Sequence, residues 1–364
     1  MKFAKFLDRE NAYKILCSTF SDNSDADAKP VNVVLFPDIN IISRDLGDRS
    51  LRSFLREEYI NHHKGLVRYL ALLYVFIVVP TFSKFYRKRA TILIDRSIES
   101  FFIIYCNQRI RLFDLDKGKV RVFLKTGYSK KEFDYELNLR ERFGHSVMVP
   151  VTNSANFMYE EPMLVGTPLA RIDKSSRDFE NGCLDVFHKY DDFQKCASRV
   201  SDSYDYIKKL RREIIDMGFE GQRDLVSWFE ELDFTTGKSE IITSISHGDL
   251  HHGNVWICDG GAMIIDWESI AFRAVIYDEF FLLNGTRPDF LIDSNYIAVR
   301  AAFIATQADK FGRHISLECP VIRSVLILED FRYRLSEIAK LPESMRLSDL
   351  KLLFDNNTRR NFNV

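Results

Sequence analysis

The chain has 364 residues, 46% of them apolar and 28% charged. This suits a folded protein long enough for more than one packed core, and it is not the composition of a disordered chain. A formal net charge of −1 supplies no general attraction to nucleic acid, so no nucleic-acid partner is expected. Cys17, Cys106, Cys183, Cys196, Cys258 and Cys319 show no C-x-x-C spacing, which argues against a disulfide scaffold and for a reducing, cytoplasmic setting.

Met1 to Glu10 holds no long apolar stretch and is not expected to form a secretory signal. Ser21 to Lys29 is polar and reads as a loop, and Arg52 to Lys64 reads as a charged helix. Tyr69 to Val79 is apolar throughout, stopped by Pro80 and followed by Lys84, Arg87, Lys88 and Arg89. A bilayer span needs roughly 20 apolar residues, so this run is too short to cross. Two readings stay open for 69–89. It is either an element buried against the rest of the protein, as a run without a polar face suggests, or a peripheral anchor at the inner membrane surface whose cations meet anionic lipid.

Ser100 to Cys106, Arg109 to Leu115 and Val120 to Lys125 have the character of three strands. The first connection, Cys106-Asn107-Gln108, contains no glycine, and Gly118 belongs to the second turn. Lys130 to Phe143 then reads as a helix with Phe133, Leu137 and Leu139 on a partly apolar face and Gly144 at its end. Glu136 sits at the apolar margin of that helix, with Glu132 one turn earlier. Ser146 to Val151 and Asn156 to Tyr159 read as strands, and Glu160 to Leu169 is punctuated by Pro162, Gly166 and Pro168. Helical patterns follow over Asp185 to Met217, with Val186, Phe193, Val200, Tyr204, Ile207 and Leu210 as its apolar positions, and over Gln222 to Leu232. Tyr277 to Leu283, Tyr296 to Phe311 and Pro320 to Lys340 are expected helices, and Asn356 to Val364 is a polar tail.

The densest chemistry lies between these helical regions. Ser246-His247-Gly248-Asp249-Leu250-His251-His252-Gly253-Asn254 is followed by two short apolar runs around Asp259-Gly260-Gly261, and then by Asp266-Trp267-Glu268. The runs predict a β-hairpin with Asn254 before its first strand and Asp266 after its second. Antiparallel pairing would bring those two residues to roughly 5 Å, the separation of cross-strand neighbours. An amide oxygen and a carboxylate so placed, with phosphate oxygens and water completing the sphere, suit Mg²⁺. Asp249, on the loop leading in, is placed to accept a proton from a hydroxyl. His251 and His252 read as hydrogen-bonding scaffold in the same loop.

These residues resemble the aminoglycoside phosphotransferase and choline kinase family, relatives of the protein kinases. His247 to Asn254 looks like that family's catalytic loop, Ile265-Asp266-Trp267-Glu268 like its metal-binding segment, and Asp278 like the downstream Asp that braces the loop. The resemblance runs over roughly residues 96–340 and is densest from 243 to 283. It implies that Asp249 and Asn254 are catalytic, with Asp249 as base, that Asn254 and Asp266 hold the metal, and that His247 is structural. It further implies a strand lysine, Lys125, on the nucleotide phosphates, paired with a helix glutamate, Glu136 or its competitor Glu132. The Glu160–Leu169 stretch would be an adenine-binding hinge. Pro162 has no N–H to offer, which leaves Met163 as backbone donor and Glu161 as carbonyl.

The expectation is an α+β, two-lobed protein-kinase-like fold: a small antiparallel-sheet N-lobe (96–166), a mainly helical C-lobe with the catalytic loop and hairpin (167–364), and an N-terminal extension of unknown role (1–95). The implied activity is transfer of the γ-phosphoryl group of ATP, with Mg, to a hydroxyl of a small molecule, sugar or glycan. Tyr277, Phe280 and Phe281 are available for an aromatic cage around a choline-like acceptor. The alternative is a catalytically inactive kinase-like module that binds nucleotide or a partner protein, suggested by the missing glycine-rich phosphate loop.

Overall fold

The structure, a computed structural model, describes residues 9–23, 27–36, 41–44, 49–59, 70, 72–74, 89–106, 108–126, 128, 130–143, 147–155, 157–217, 239–286, 296–313, 315, 317 and 319–339. The expected features at Gly144, 222–232 and 356–364 lie outside these residues. The fold is α+β, and the chain divides into two compact units, Met1–His145 with Val149–Val165, and Ser146–Met148 with Gly166–Val364.

The first unit is built on an antiparallel sheet. Among the described residues its strands are β1 (Ala28–Phe36), β2 (Ile41–Ser43), β3 (Arg89–Asp95), β4 (Phe101–Tyr105), β5 (Arg109–Asp114), β6 (Lys119–Leu124), β7 (Asn153–Ala155) and β8 (Met158–Pro162). Their order is β3-β1-β2-β4-β5-β6-β8-β7. The first three strands come from residues 1–95, so the extension continues the same sheet: β2 pairs with β4, Ile41 opposite Ile104. The sheet is therefore wider than the small one expected.

Successive side chains on a strand point to opposite faces, and three helices of this unit among the described residues use that alternation. α1 (Arg9–Asp22) sets Leu16 and Phe20 against Val33, Ile92, Ile103 and Leu112. α2 (Arg49–Tyr59) sets Leu51 and Leu55 against Phe36, Ile41 and Phe102. α3 (Lys130–Phe143) packs Phe133 on Val122, Leu124 and Tyr159. Each buried side chain of this size contributes about 1.5–3 kcal/mol. Of the apolar run at 69–79, only Leu70 and Leu72 to Tyr74 are described; Leu72 packs on the α2 cluster, whereas Leu70 and Tyr74 are exposed. Among the described residues, no helix is long and apolar enough to cross a membrane.

The second unit is mainly helical: α4 (Arg177–Lys195), α5 (Ser203–Asp216), α6 (Val275–Asn284), α7 (Tyr296–Lys310) and α8 (Pro320–Ala339). β9 (Gly166–Pro168), β10 (Arg199–Asp202), β11 (Glu240–Ser246), β12 (Val255–Cys258), β13 (Gly261–Ile264) and β14 (Ala271–Ala274) form two small sheets, ordered β10-β11-β14 and β13-β12-β9. Ile207, Leu210 and Ile214 of α5 meet Val325, Leu328 and Phe331 of α8 in the core.

Two sequence expectations fail here. The helical pattern over 185–217 is two helices interrupted by β10, so Val200, expected inside, is 63% exposed. The break has a local cause: the Asp202 side chain accepts from the amides of Tyr204 and Asp205 and caps α5, while Arg199–Asp202 pairs with β11. Of the expected strand at 146–151, the described residues 147–151 form none; Met148 makes an isolated parallel bridge to Ile264.

Candidate active site

The loop after β11 is fixed from below. Asp278, fully buried on α6, accepts from the backbone amides of His247 (2.8 Å) and Gly248 (2.9 Å) and from the hydroxyl of Tyr190 on α4. Burial, and then the Asp278 charge, push the Tyr190 hydroxyl well above its ordinary pKa, so it stays a donor. Gly248 adopts φ +82°, and a Cβ there would lie 2.5 Å from the Arg273 guanidinium and 2.6 Å from the Ser269 carbonyl. No other residue fits that turn without rearrangement.

His247 is fully buried and ties the loop to the hairpin. The Asp249 amide donates to its Nδ1 at 3.1 Å, so Nε2 carries the proton and donates to the Ile265 carbonyl at 2.8 Å. Its ring lies edge-on to Trp267, 4.7 Å between centroids. The Asp249 carbonyl accepts from the His251 amide and from Nδ2 of Asn254, both at 2.9 Å. With Nδ2 turned to that carbonyl, Oδ1 of Asn254 is the atom left for a ligand.

The predicted hairpin is present, with Val255 opposite Ile264 and Cys258 opposite Gly261. The Ile265 amide donates to the Asn254 carbonyl at 2.9 Å and closes its open end. α4 supports the turn: Asp185 accepts from the Ala262 amide, and Lys189 reaches the Ala262 carbonyl at 3.1 Å. Asp266 follows at φ 67°, ψ 49°, and is the one non-glycine residue with positive φ among the described residues. Such a conformation disfavours an L-residue by roughly 1–2 kcal/mol. It persists because both neighbours are anchored: the Ile265 carbonyl by His247, and Trp267 by burial and its indole N–H on the Ile264 carbonyl at 2.9 Å.

Among the described residues there is no cluster of three or more His, Cys, Asp or Glu able to hold a metal ion. Asn254 and Asp266 would supply only two oxygens, a donor set that fits a Mg²⁺ completed by phosphate oxygens and water and no tighter protein cage.

The two histidines that follow Asp249 in the loop differ in character. His252 is buried, edge-on to Phe179, with its pKa lowered to about 4 by burial and then by the Lys174 charge. His251 is partly exposed; its Nδ1 accepts from the Gly253 amide at 2.9 Å, which puts the proton on Nε2, 3.8 Å from the Asp249 carboxylate. Tyr277, Phe280 and Phe281 are fully buried, so these rings form core and offer no cage.

In the first unit, Lys125 is 3% exposed; its ammonium contacts the Cys106 carbonyl and lies 3.5 Å from the centre of the Tyr105 ring. Glu136 is fully buried, and Glu132 is exposed. The partners of Glu136 correct the lysine–glutamate expectation: its carboxylate pairs with Arg109, and accepts from Arg140 Nε at 2.8 Å and the Tyr159 hydroxyl at 3.2 Å. Burial alone would raise its pKa, but Arg109 and Arg140 outweigh it and hold the group down at about 2. Arg140 also reaches the Glu161 carboxylate at 2.6 Å. The Met163 amide, expected to be offered to a base, donates to the Gly118 carbonyl at 2.8 Å. Nothing local marked Arg109 as the partner. It reaches Glu136 because β5 pairs with β6 and sets Arg109 opposite Leu124.

No protein-family model matches the sequence, and among curated proteins none matches. Solved structures do. The macrolide 2′-phosphotransferase of Brachybacterium faecium aligns at 11% identity over 70% of this chain and 89% of its own, with a TM-score of 0.44. The choline kinase of Streptococcus pneumoniae aligns at 14% identity over 70% and 91%, with a TM-score of 0.41. The ethanolamine kinase of Plasmodium vivax aligns at 13% identity over 86% and 94%, with a TM-score of 0.40. The structures to which this chain is similar thus include a phosphotransferase and small-molecule kinases.

Proposed function

We propose that the protein is an ATP- and Mg²⁺-dependent phosphotransferase that moves the γ-phosphoryl group to a hydroxyl of a small molecule or sugar. One observation carries the reading. His247 joins the loop bearing Asp249 and Asn254 to the hairpin end bearing Asp266, and Asp266 is held there in a conformation that L-residues avoid. Strain of this kind, maintained by anchors on both sides, is characteristic of functional positions.

Phosphoryl transfer asks little covalent chemistry of a protein and much positioning. Asp249 orients the acceptor hydroxyl and takes its proton as the acceptor oxygen bonds to the γ-phosphorus. The bond from that phosphorus to the β–γ bridging oxygen breaks, and ADP departs with the electron pair. Asn254 Oδ1 and the Asp266 carboxylate would hold Mg²⁺, which would supply neutralisation of charge on the transferring phosphates. In the first unit Lys125 is the cation proposed for the nucleotide phosphates, and the Glu161 carbonyl the acceptor proposed for the adenine.

The test is ATP turnover by the full chain with Mg²⁺ against a screen of sugars, aminoglycosides and amino alcohols. Asp249→Asn is expected to lower turnover of the accepted compound by about 10²–10⁴-fold, the range for loss of a general base. Equal rates would remove Asp249 from the mechanism.

A second reading, a nucleotide- or partner-binding module without transfer, is favoured by one observation: Glu136 is engaged by Arg109 and Arg140. Mg²⁺-independent nucleotide binding with no transfer to any compound in the screen would establish it.

A further inference from the structure

The first unit contains a cavity of about 280 Å³ where α1 and β3, both from residues 1–95, meet the face of β5, β6 and β8. It lies within the unit made by the N-terminal strands, whereas Asp249 and Asp266 belong to the second unit. None of the roles given above to Asp249, Asn254, Asp266 or Lys125 uses it.

Its floor is apolar. Phe20 and Phe123, 4.9 Å apart between ring centroids, are 3% and 5% exposed and line it, while Phe157 at its lip is 40% exposed. Its mouth is polar and negative. Asp95 accepts from the Ser97 amide and from Arg121, and these bonds hold its pKa at about 2, so it is ionised throughout the physiological range. Arg121 does not make the mouth positive, because its guanidinium is shared between Asp95 at 3.1 Å and Glu160 at 2.8 Å. Asp22, exposed at the end of α1, has its carboxylate set against the Thr126 hydroxyl at 2.9 Å, a neutral partner. Arg121, and Lys119 on Glu160 at 3.3 Å, thus stand against the three carboxylates of Asp22, Asp95 and Glu160, which leaves one negative charge in excess. The balance favours a cation over an anion, and the phenyl faces below favour an apolar group attached to it.

We propose that this cavity is a second ligand site, taking a small organic amine whose ammonium sits at Asp22 and Asp95 and whose apolar body lies on Phe20 and Phe123. The volume limits the occupant to about one ring or a short branched chain. Because the walls are drawn both from residues 9–95 and from the following strands, occupancy would bind the N-terminal segment to the sheet. The site is independent of the phosphotransfer reading.

The experiment is calorimetric titration of the full chain, without nucleotide, with 2-phenylethylamine and with its neutral counterpart 2-phenylethanol. Saturable binding of the amine is expected, with the alcohol binding at least about tenfold more weakly, as loss of a charge-assisted contact requires. Asp22→Asn should weaken the amine by a similar factor. Ala155→Arg, at an exposed position on the rim, should abolish binding by adding bulk and positive charge while leaving the melting temperature unchanged. No saturable binding, equal affinity for the alcohol, or full affinity in both variants would overturn the proposal. So would loss of amine binding in Asp249→Asn with retention in Asp22→Asn, which would assign the amine to the second unit.

Discussion

Nε2 of His247 donates to the carbonyl of Ile265 at 2.8 Å, and the same ring accepts the Asp249 amide on Nδ1 at 3.1 Å. One imidazole therefore sets the position of the loop carboxylate and of the residue preceding Asp266. Replacing it leaves a donor and an acceptor unsatisfied in a buried site, each worth about 1–3 kcal/mol. His247→Ala is expected to lower the denaturation free energy by about 2–4 kcal/mol and to reduce phosphoryl transfer as well. Urea unfolding alongside turnover checks both effects, and full activity in a folded variant would separate the ring from the site.

Asp266 offers the opposite combination. Glycine accepts φ 67° without the Cβ penalty, and its greater freedom in the unfolded chain offsets part of the relief. Asp266→Gly is expected to be as stable as the parent or more so, by up to about 1 kcal/mol, while losing Mg²⁺-dependent turnover. A melting curve that falls by several degrees would show that the carboxylate, and not the backbone, holds this turn.

The Glu136 cluster predicts acid sensitivity. Its folded pKa, about 2, lies below the ordinary glutamate value of 4.5, so between these values the unfolded chain binds more protons. The stabilisation is therefore complete above pH 4.5 and is lost as pH falls toward 2. Glu136→Gln should cost about 3–5 kcal/mol at neutral pH, since it leaves buried Arg109 and Arg140 short of their counter-charge. Unfolding followed from pH 7 to pH 2 should show a shallower decline in the variant.

His252 acts in a different window. Its folded pKa is lowered to about 4 from 6.5, so the folded protein resists protonation where the unfolded chain accepts it. Stability is expected to be full above pH 6.5 and to fall, by an amount on the order of 2 kcal/mol, as pH drops toward 4. His252→Gln should flatten the curve in that range, measured as melting temperature against pH. A parallel curve for the variant would assign the decline to other groups.

Elements built on local signals were legible in the sequence. The hairpin of 255–264 follows from an Asp-Gly-Gly turn between short apolar runs, and α3 from its helical period with Lys130 and Phe143 as its ends. What escaped reading depends on distant pairing. Arg109 meets Glu136 through strand register, and the Nε2 of His247 finds its acceptor on a carbonyl 18 residues later. Val200 follows a helical pattern, yet pairing with β11 and the Asp202 cap take it into a strand. The left-handed backbone of Asp266 has no glycine to announce it.

The pairing of β2 with β4 carries a practical consequence. Trimming the protein to begin near residue 96 would strip Ile103 and Ile104 of their neighbour and open a raw hydrogen-bonding border on an apolar strand. Such borders recruit other chains. Strand β2 thus acts as a selvedge along β4.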